Sequence, residues 1–308
     1  MTDILAVTTP IFLLIGLGYA AVRLGFFAQD QARALGAFVI NVALPALIIR
    51  ALSQRPFSEL ANLRYLALYG GVSLVVFAFG YAVARLALRR PQGAASMIAL
   101  GGSISNSGLI AYQIATLAVG PTAGLAMALN MAFENVLLIP LSLAIAEAAA
   151  GRGTGFAATT ATTARRLARH PLLIAIVIGA AMAASGLTLP RAIERAVDML
   201  ANAAGGAALF SIGGALVGLS ARGLGADVAL IAVCKLLIMP ALIWIGLHYV
   251  HGIDPILQRT MMIFAAAPMV TIYPLIAQAY GEGRSASAAL LATTALSFFT
   301  VSAVLYYL

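Results

Sequence analysis

Charge is scarce in this chain. Its 18 Lys and Arg and 10 Asp and Glu amount to 9% of 308 residues, against 62% hydrophobic residues and a mean hydropathy of +1.01. Soluble domains carry about 25% charged residues, so the shortage excludes a soluble globular protein and implies a polytopic membrane protein. A single cysteine, Cys234, excludes an internal disulfide and any multi-cysteine metal site. Three scattered histidines, His170, His248 and His251, make no metal cluster, and none is expected. The net charge of +8 comes from arginines in short loops between apolar runs, a topological signal rather than a nucleic-acid patch. The start, Met1-Thr2-Asp3, has no basic n-region and no A-x-A-like site follows, so the first apolar stretch reads as a retained helix. No soluble domain is expected at either end. No paired acid, Ser/His arrangement or metal cluster lies within the apolar runs, which argues against an enzyme.

What the chain does contain is a duplication at an offset of about 161 residues. Pro10 recurs as Pro171, Gly18 as Gly179, Gly25 as Gly186, Asn41 as Asn202, Tyr112 as Tyr273 and Gly120 as Gly281. Glycine, proline and asparagine carry weight here because they fix turns, helix starts and polar points in greasy segments. Apolar runs of at least about 17 residues fall near 4–24, 32–53, 64–88, 94–118 and 121–149, then 171–187, 193–219, 225–247, 256–280 and 284–307. Each copy thus holds an odd number of spans, so the two insert with opposite orientation, as in many secondary transporters.

The expected fold is an all-α polytopic membrane protein of ten transmembrane helices in two inverted five-helix repeats. The first repeat is 1–149, a cytoplasmic linker follows at 150–170, and the second repeat is 171–308. Six arginines lie near loops on the side of the termini (Arg50, Arg55, Arg64, Arg191, Arg195, Arg259), and the other eleven lie on the opposite side. The positive-inside bias makes that opposite side cytoplasmic and both termini external.

Two corresponding spans are built to break. The fourth reads Gly101-Gly102-Ser103-Ile104-Ser105-Asn106-Ser107-Gly108, residues that compete with helical hydrogen bonds. The ninth carries Pro268 and Pro274 around Thr271 and Tyr273. Gly/Pro-interrupted segments in equivalent places point to a transporter binding site, and half-helix N-termini favour an anion. Either break could instead serve close packing or a simple kink.

Polar residues stranded in apolar spans are costly and mark candidate sites. Asn41, ahead of Pro45, and its repeat partner Asn202 either brace kinks or act in coupling. Asn130 and Glu134 share one helix face at i, i+4, and Asn135 is turned by one position. Glu134 could carry a proton or be a neutral acid bonded to a neighbouring helix. Lys235, the sole lysine, could meet a substrate carboxylate or pair with Glu134 or Asp198. Asp198 and Asp227 sit near helix starts, where acids are ordinary.

Several stretches resemble the auxin efflux carrier family. They are Pro10-Ile11-Phe12-Leu13-Leu14-Ile15-Gly16-Leu17-Gly18-Tyr19, Asn41-Val42-Ala43-Leu44-Pro45-Ala46-Leu47, Ser105-Asn106-Ser107-Gly108 with Gly120, and Pro268 with Ala277-Gln278-Ala279-Tyr280-Gly281. His170-Pro171-Leu172 stands where the family usually has Asn-Pro-Leu, and Gln113 stands near a usual proline. The resemblance implies broken crossover helices four and nine and an elevator-like carrier of organic anions. Spans one, two, six and seven would form a scaffold, and three to five with eight to ten the transport unit. Plant members carry auxin and bacterial relatives are associated with malonate and malate; the short linker is similar to the bacterial members. The implied protein is a multi-pass carrier of the bacterial inner membrane with periplasmic termini. It needs no cofactor, is coupled to H⁺ or Na⁺ if at all, and takes a small carboxylate, malonate or a related dicarboxylate first. The substrate would be held by Ser105, Asn106, Ser107, Gly108, Asn130, Glu134, Asn135, Pro268, Thr271, Tyr273 and Lys235. A homodimer is left open, as is an auxin-like monocarboxylate carrier. A cation/proton antiporter of similar architecture is the other alternative, weakened by the lack of acids at the breaks before Glu282.

Overall fold

The computed structural model describes residues 2–56, 62–120, 122–150, 169–219 and 225–308, and among these it contains helices and no strand. Eight helices are long and apolar enough to cross a membrane. They begin with α1 (Thr2–Arg23), α2 (Gln29–Ser53) and α3 (Leu63–Leu86). The next span, Gln92–Val119, is broken into α4a (Gln92–Ser103) and α4b (Ser107–Ala111 continuing as Tyr112–Val119). Then come α5 (Ala123–Ala149), the shorter apolar α6 (Pro171–Ser185), α7 (Arg191–Leu216) and α8 (Ala226–Tyr249). The chain ends with α9a (Pro255–Ala266), α9b (Tyr273–Gln278) and α10 (Gly283–Tyr307). The run expected at 256–280 is therefore two pieces of 12 and 6 residues, neither long enough to span alone. Pro268 and Pro274 withhold backbone donors across that stretch. The expected linker at 150–170, with Arg152, Arg165 and Arg166, lies almost wholly outside the described residues, as does Arg222.

Three helices change pitch for a common reason. Wide π turns occur at Val39–Ala43 in α2, Glu134–Leu138 in α5 and Cys234–Ile238 in α8. Each is followed by an α-helical segment with proline at its second position: Pro45, Pro140 and Pro240. Proline has no N–H, and its ring blocks the carbonyl four residues back, so the ladder widens one turn ahead of it. Asn41, Glu134, Asn135 and Lys235 all fall inside these π turns.

The helices pack as two groups. In the first, α1 packs on α7, α2 on α6, and α7 on α2. Gly18 and Gly213 let α1 and α7 touch backbone to backbone, since a Cβ on Gly18 would strike the Phe210 carbonyl and one on Gly213 the Ile15 carbonyl. Gly179 makes the corresponding approach of α6 to α2, where a Cβ would stand 2.9 Å from that of Leu52. In the second group, α3 packs on α4a, α4a on α5, α8 on α3 and α10, and α9a and α9b on α10. Among the described residues, two ion pairs join distant helices, and each lies within one group. Arg50 at the end of α2 meets Asp198 of α7 at 3.5 Å, and Arg90 meets Asp227 at the start of α8 at 2.8 Å. The Asp227 carboxylate, hydrogen-bonded to Arg90, holds that guanidinium above its ordinary pKa.

The broken span is the innermost: the apolar window of Gln92–Val119 is wholly buried, whereas the other long spans leave half or more of theirs outside the protein core. Irregular backbone at membrane depth needs such enclosure, because lipid offers it no hydrogen bonds. Outward-facing Leu13, Leu17, Val75, Phe79, Leu117 and Val136 present the apolar surface expected against lipid.

Candidate functional site

The two interruptions meet in the middle of the protein. The N–H of Asn106, between α4a and α4b, donates to the carbonyl of Pro268, between α9a and α9b, at 2.8 Å. The Asn106 side chain completes the junction. Its Nδ2 donates to Thr271 Oγ1 at 2.7 Å and its Oδ1 accepts from the N–H of Leu109 at 3.3 Å, capping α4b.

Helical donors run out at the end of α9a; its own cap, Ala267, takes the Ile263 carbonyl, and the three carbonyls after it are each taken by a separate element. Ile263 accepts from the N–H of Ala267 at 3.0 Å, and Phe264 from Ser105 Oγ at 3.0 Å. Ala265 accepts from Lys235 Nζ at 2.8 Å, and Ala266 from Thr300 Oγ1 at 3.0 Å. Lys235, fully buried, also donates to Met239 Sδ at 3.2 Å. Its charge sits at the negative end of α9a, where a cation is favoured. Among the described residues no ion pair joins Lys235 to Glu134 or Asp198. Lys235 and Glu134 act on each other through the low-dielectric interior without contact.

The start of α4b is occupied by a carboxylate of the protein itself. Glu134, 3% exposed, accepts at Oε1 from the N–H of Ser105 at 3.1 Å and lies 3.1 Å from the Tyr69 hydroxyl. Ser107 Oγ lies 3.1 Å from Oε1 and 3.2 Å from Oε2. Tyr69 also reaches Ser105 Oγ at 2.9 Å.

A cavity of about 770 Å³ opens beside this cluster. One wall comes from α2, α6 and α7 through Asn41, Leu44, Leu172, Ser211 and Ala215; the other comes from the two breaks and α5. Its far end reaches Arg33, Glu147 and His170, beside the connections that hold most of the arginines. Burial pushes the His170 imidazole below the ordinary histidine pKa. Toward the opposite face the groups close on each other. A Cβ on Gly124 of α5 would stand 2.5 Å from that of Ala51 on α2, and one on Gly205 of α7 would stand 2.6 Å from the Gln113 amide oxygen on α4b. Arg55 Nη2 donates to Thr122 Oγ1 across this seam at 2.7 Å.

Of the residues singled out in the sequence, the cavity wall gathers Asn41, Ser105, Asn106, Ser107, Gly108, Glu134, Asn135 and Thr271. Pro268 joins them through its backbone, and Lys235 stands behind α9a. Asn130 is fully buried, with its side chain beside the Tyr65 hydroxyl and outside the cavity wall. Tyr273 turns its hydroxyl to the Met97 carbonyl at 3.0 Å, away from the cavity. Asn202 and Asp198 both face Arg50, the former accepting from it at 2.8 Å, and take no part in the cavity. Sequence reasoning missed Tyr69, Arg33, Glu147, His170 and Ser211. Tyr69 carried a usable signal, since its repeat counterpart at the 161-residue offset is Leu230.

The family model described as "Membrane transport protein" matches residues 4–306. A Rhizobium meliloti (strain 1021) protein described as "Putative malonate transporter" is 33% identical over 307 residues, covering 99% of this chain and 96% of its own. The "Uncharacterized transporter YfdV" of Escherichia coli (strain K12) is 26% identical over 305 residues, covering 97% of this chain and 95% of its own.

Proposed function

As this chain belongs to the membrane transport protein family, that of the auxin efflux carriers, and is a multi-pass membrane transporter, we propose that it is a secondary active carrier of small organic anions. Malonate or a related dicarboxylate is the favoured cargo, moved by elevator-type alternating access. The observation that carries this reading is the cavity, one wall of which is made by the two helix breaks and opens on the start of half-helix α4b. Half-helix α4b directs N–H groups and positive dipole character into it, which suits a carboxylate. Ser107, Asn106 and Thr271 add side-chain donors on the same wall. The malonate link rests on the description of the Rhizobium relative and on this donor set.

The wall made of α2, α6 and α7, with α1, is the fixed scaffold. The wall made of the breaks and α5, with α3, α8 and α10, is the moving unit. Supporting this division, the ion pairs Arg50–Asp198 and Arg90–Asp227 tie each group internally. Counting the 15-residue α6 and the broken α9a–α9b segment with the eight long helices gives ten spans in two inverted repeats. Equivalent glycines support the repeat: Gly25 and Gly186 have φ of 82° and 67°, and Gly120 and Gly281 have 82° and 84°. Gly18 at the α1–α7 crossing and Gly179 at the α6–α2 crossing support it further. With the arginine-rich side cytoplasmic, the cavity faces inward and both termini lie in the periplasm of a bacterial inner membrane.

Uptake of labelled malonate, malate and indole acetate into proteoliposomes tests the reading. Malonate accumulation against a gradient is the expected result. Flux that never exceeds equilibrium would make the protein a channel, and no carboxylate flux or binding would sink the proposal.

A further inference from the structure

Two of the donors nearest the start of α4b are already engaged by the protein itself. Glu134 holds the Ser105 N–H and the Ser107 hydroxyl, and it lines the cavity by which a substrate would arrive. We propose that Glu134 is the proton carrier of this site, taking up one proton as the substrate carboxylate binds, so that anion and proton cross together. This rests on the carboxylate-carrier reading above.

Two arguments from the geometry support it. The first concerns charge. A second carboxylate beside Glu134, in a pocket sealed from water on one side, would meet strong like-charge repulsion. Among the described residues, the one cation that acts on Glu134, Lys235, does so from behind α9a and without contact. Lys235 is engaged by the Ala265 carbonyl and does not line the cavity, while Arg33 lies at its far end. Protonation removes the repulsion and weakens Glu134's hold on the Ser105 and Ser107 donors.

The second concerns hydrogen atoms. Tyr69 has one hydroxyl hydrogen but two oxygen neighbours, Glu134 Oε1 at 3.1 Å and Ser105 Oγ at 2.9 Å. With Glu134 ionised, that hydrogen points to Oε1. With Oε1 protonated, the acid donates to the Tyr69 oxygen, Tyr69 turns to Ser105 Oγ, and Ser105 continues to donate to the Phe264 carbonyl at 3.0 Å. Every hydrogen has an acceptor in both states, only one hydroxyl rotates between them, and the Tyr69–Ser105 contact carries a hydrogen in the protonated state alone. The proton is taken up from solvent through the open side of the cavity.

The groups facing Glu134 are Tyr65 and Tyr69 from α3, Ser105 and Ser107 from the α4 break, Lys235 from α8, and Asn130 and Asn135 on its own helix. Glu147, His170 and Arg33 share the cavity. Of the ionisable groups that line the cavity, Glu134 alone contacts the donors at the helix start.

Calorimetric titration of the purified full chain with malonate, in buffers of different ionisation enthalpy, counts the protons taken up. About one proton per malonate is expected above neutral pH, where malonate is a dianion, with affinity falling about tenfold per pH unit. Glu134→Gln should bind malonate with no proton uptake and a flat pH profile, while His248→Gln, at a histidine outside the cavity, keeps the wild-type count. Malonate binding without proton uptake by the wild type, or undiminished uptake by E134Q, overturns the proposal and leaves the carrier reading standing. Absence of malonate binding overturns both. Should E134Q fail to fold, Tyr69→Phe should displace the pH profile, and an unchanged Y69F profile would overturn the assignment.

Discussion

Asn106 ties the two broken segments together with its side chain as well as its backbone. Asn106→Ala keeps the backbone bond to Pro268 but removes the α4b cap and the bond to Thr271. Loss of a cap costs about 1 kcal/mol and loss of a buried hydrogen bond about another. Carboxylate affinity should fall by roughly tenfold or more, read by binding titration, because the donors at the helix start lose their fixed direction. Lys235 calls for the opposite outcome. Lys235→Met leaves the Ala265 carbonyl unsatisfied, worth about 1–3 kcal/mol of stability. Thermal unfolding in detergent should show that loss, while malonate affinity changes by less than about threefold. Abolished binding with stability intact would instead make Lys235 a substrate contact.

The same polar residues depend on the shape of their helices. The π turn at Glu134–Leu138 adds a residue to one turn of α5, and Pro140 is its physical cause. Pro140→Ala permits the regular ladder, and loss of the extra residue would swing the preceding part of the helix by about 100° relative to the rest. Glu134 would then leave Ser105 and Ser107. The expected result is a helix at least as stable as the native one, with malonate transport reduced by more than about tenfold. Unchanged uptake by P140A would show that the π turn does not position the site. Each proline was legible in the sequence. Its effect was not, because a proline can kink, unwind or widen a helix, and the neighbouring helices select among these.

At the scale of the molecule, the closed seam opposite the cavity is where the proposed alternation can be stopped. Ala51 on α2 and Gly124 on α5 belong to different groups and lie in contact, and the sole native cysteine, Cys234, is buried. The double substitution Ala51→Cys and Gly124→Cys, in a Cys234→Ser background, should form a disulfide after an adjustment of about an ångström. Oxidation should then arrest malonate transport while leaving binding from the cavity side intact, and reduction should restore it. Continued transport by the crosslinked protein would rule out sliding of one group past the other. Gly213→Leu works through the fold instead. It drives a side chain into the Ile15 carbonyl at the α1–α7 crossing, and overpacking of this kind typically costs about 1–3 kcal/mol or more, measurable as a fall in thermal stability.

The sequence by itself determined the membrane character, the positions of the apolar helices to within a few residues and the places where two of them break. Hydropathy and proline act locally, and a long apolar segment in lipid satisfies its polar backbone groups within itself by forming a helix. It also made Glu134, Asn106 and Lys235 conspicuous, because polar groups in a greasy span stand out against their neighbours. Only the tertiary structure decided what each one touches. Lys235 faces the end of α9a and Glu134 the start of α4b, and Asn202 and Asp198 turn to Arg50. Their partners are 30 residues away for Lys235, 29 for Glu134 and 152 for Asn202, and contacts at that separation follow from helix packing rather than from local pattern. The break ahead of α4b was foreseeable from the sequence; that a carboxylate of the chain sits beside it was not, because the distance from Glu134 to Ser105 exists only once α5 has packed against α4a.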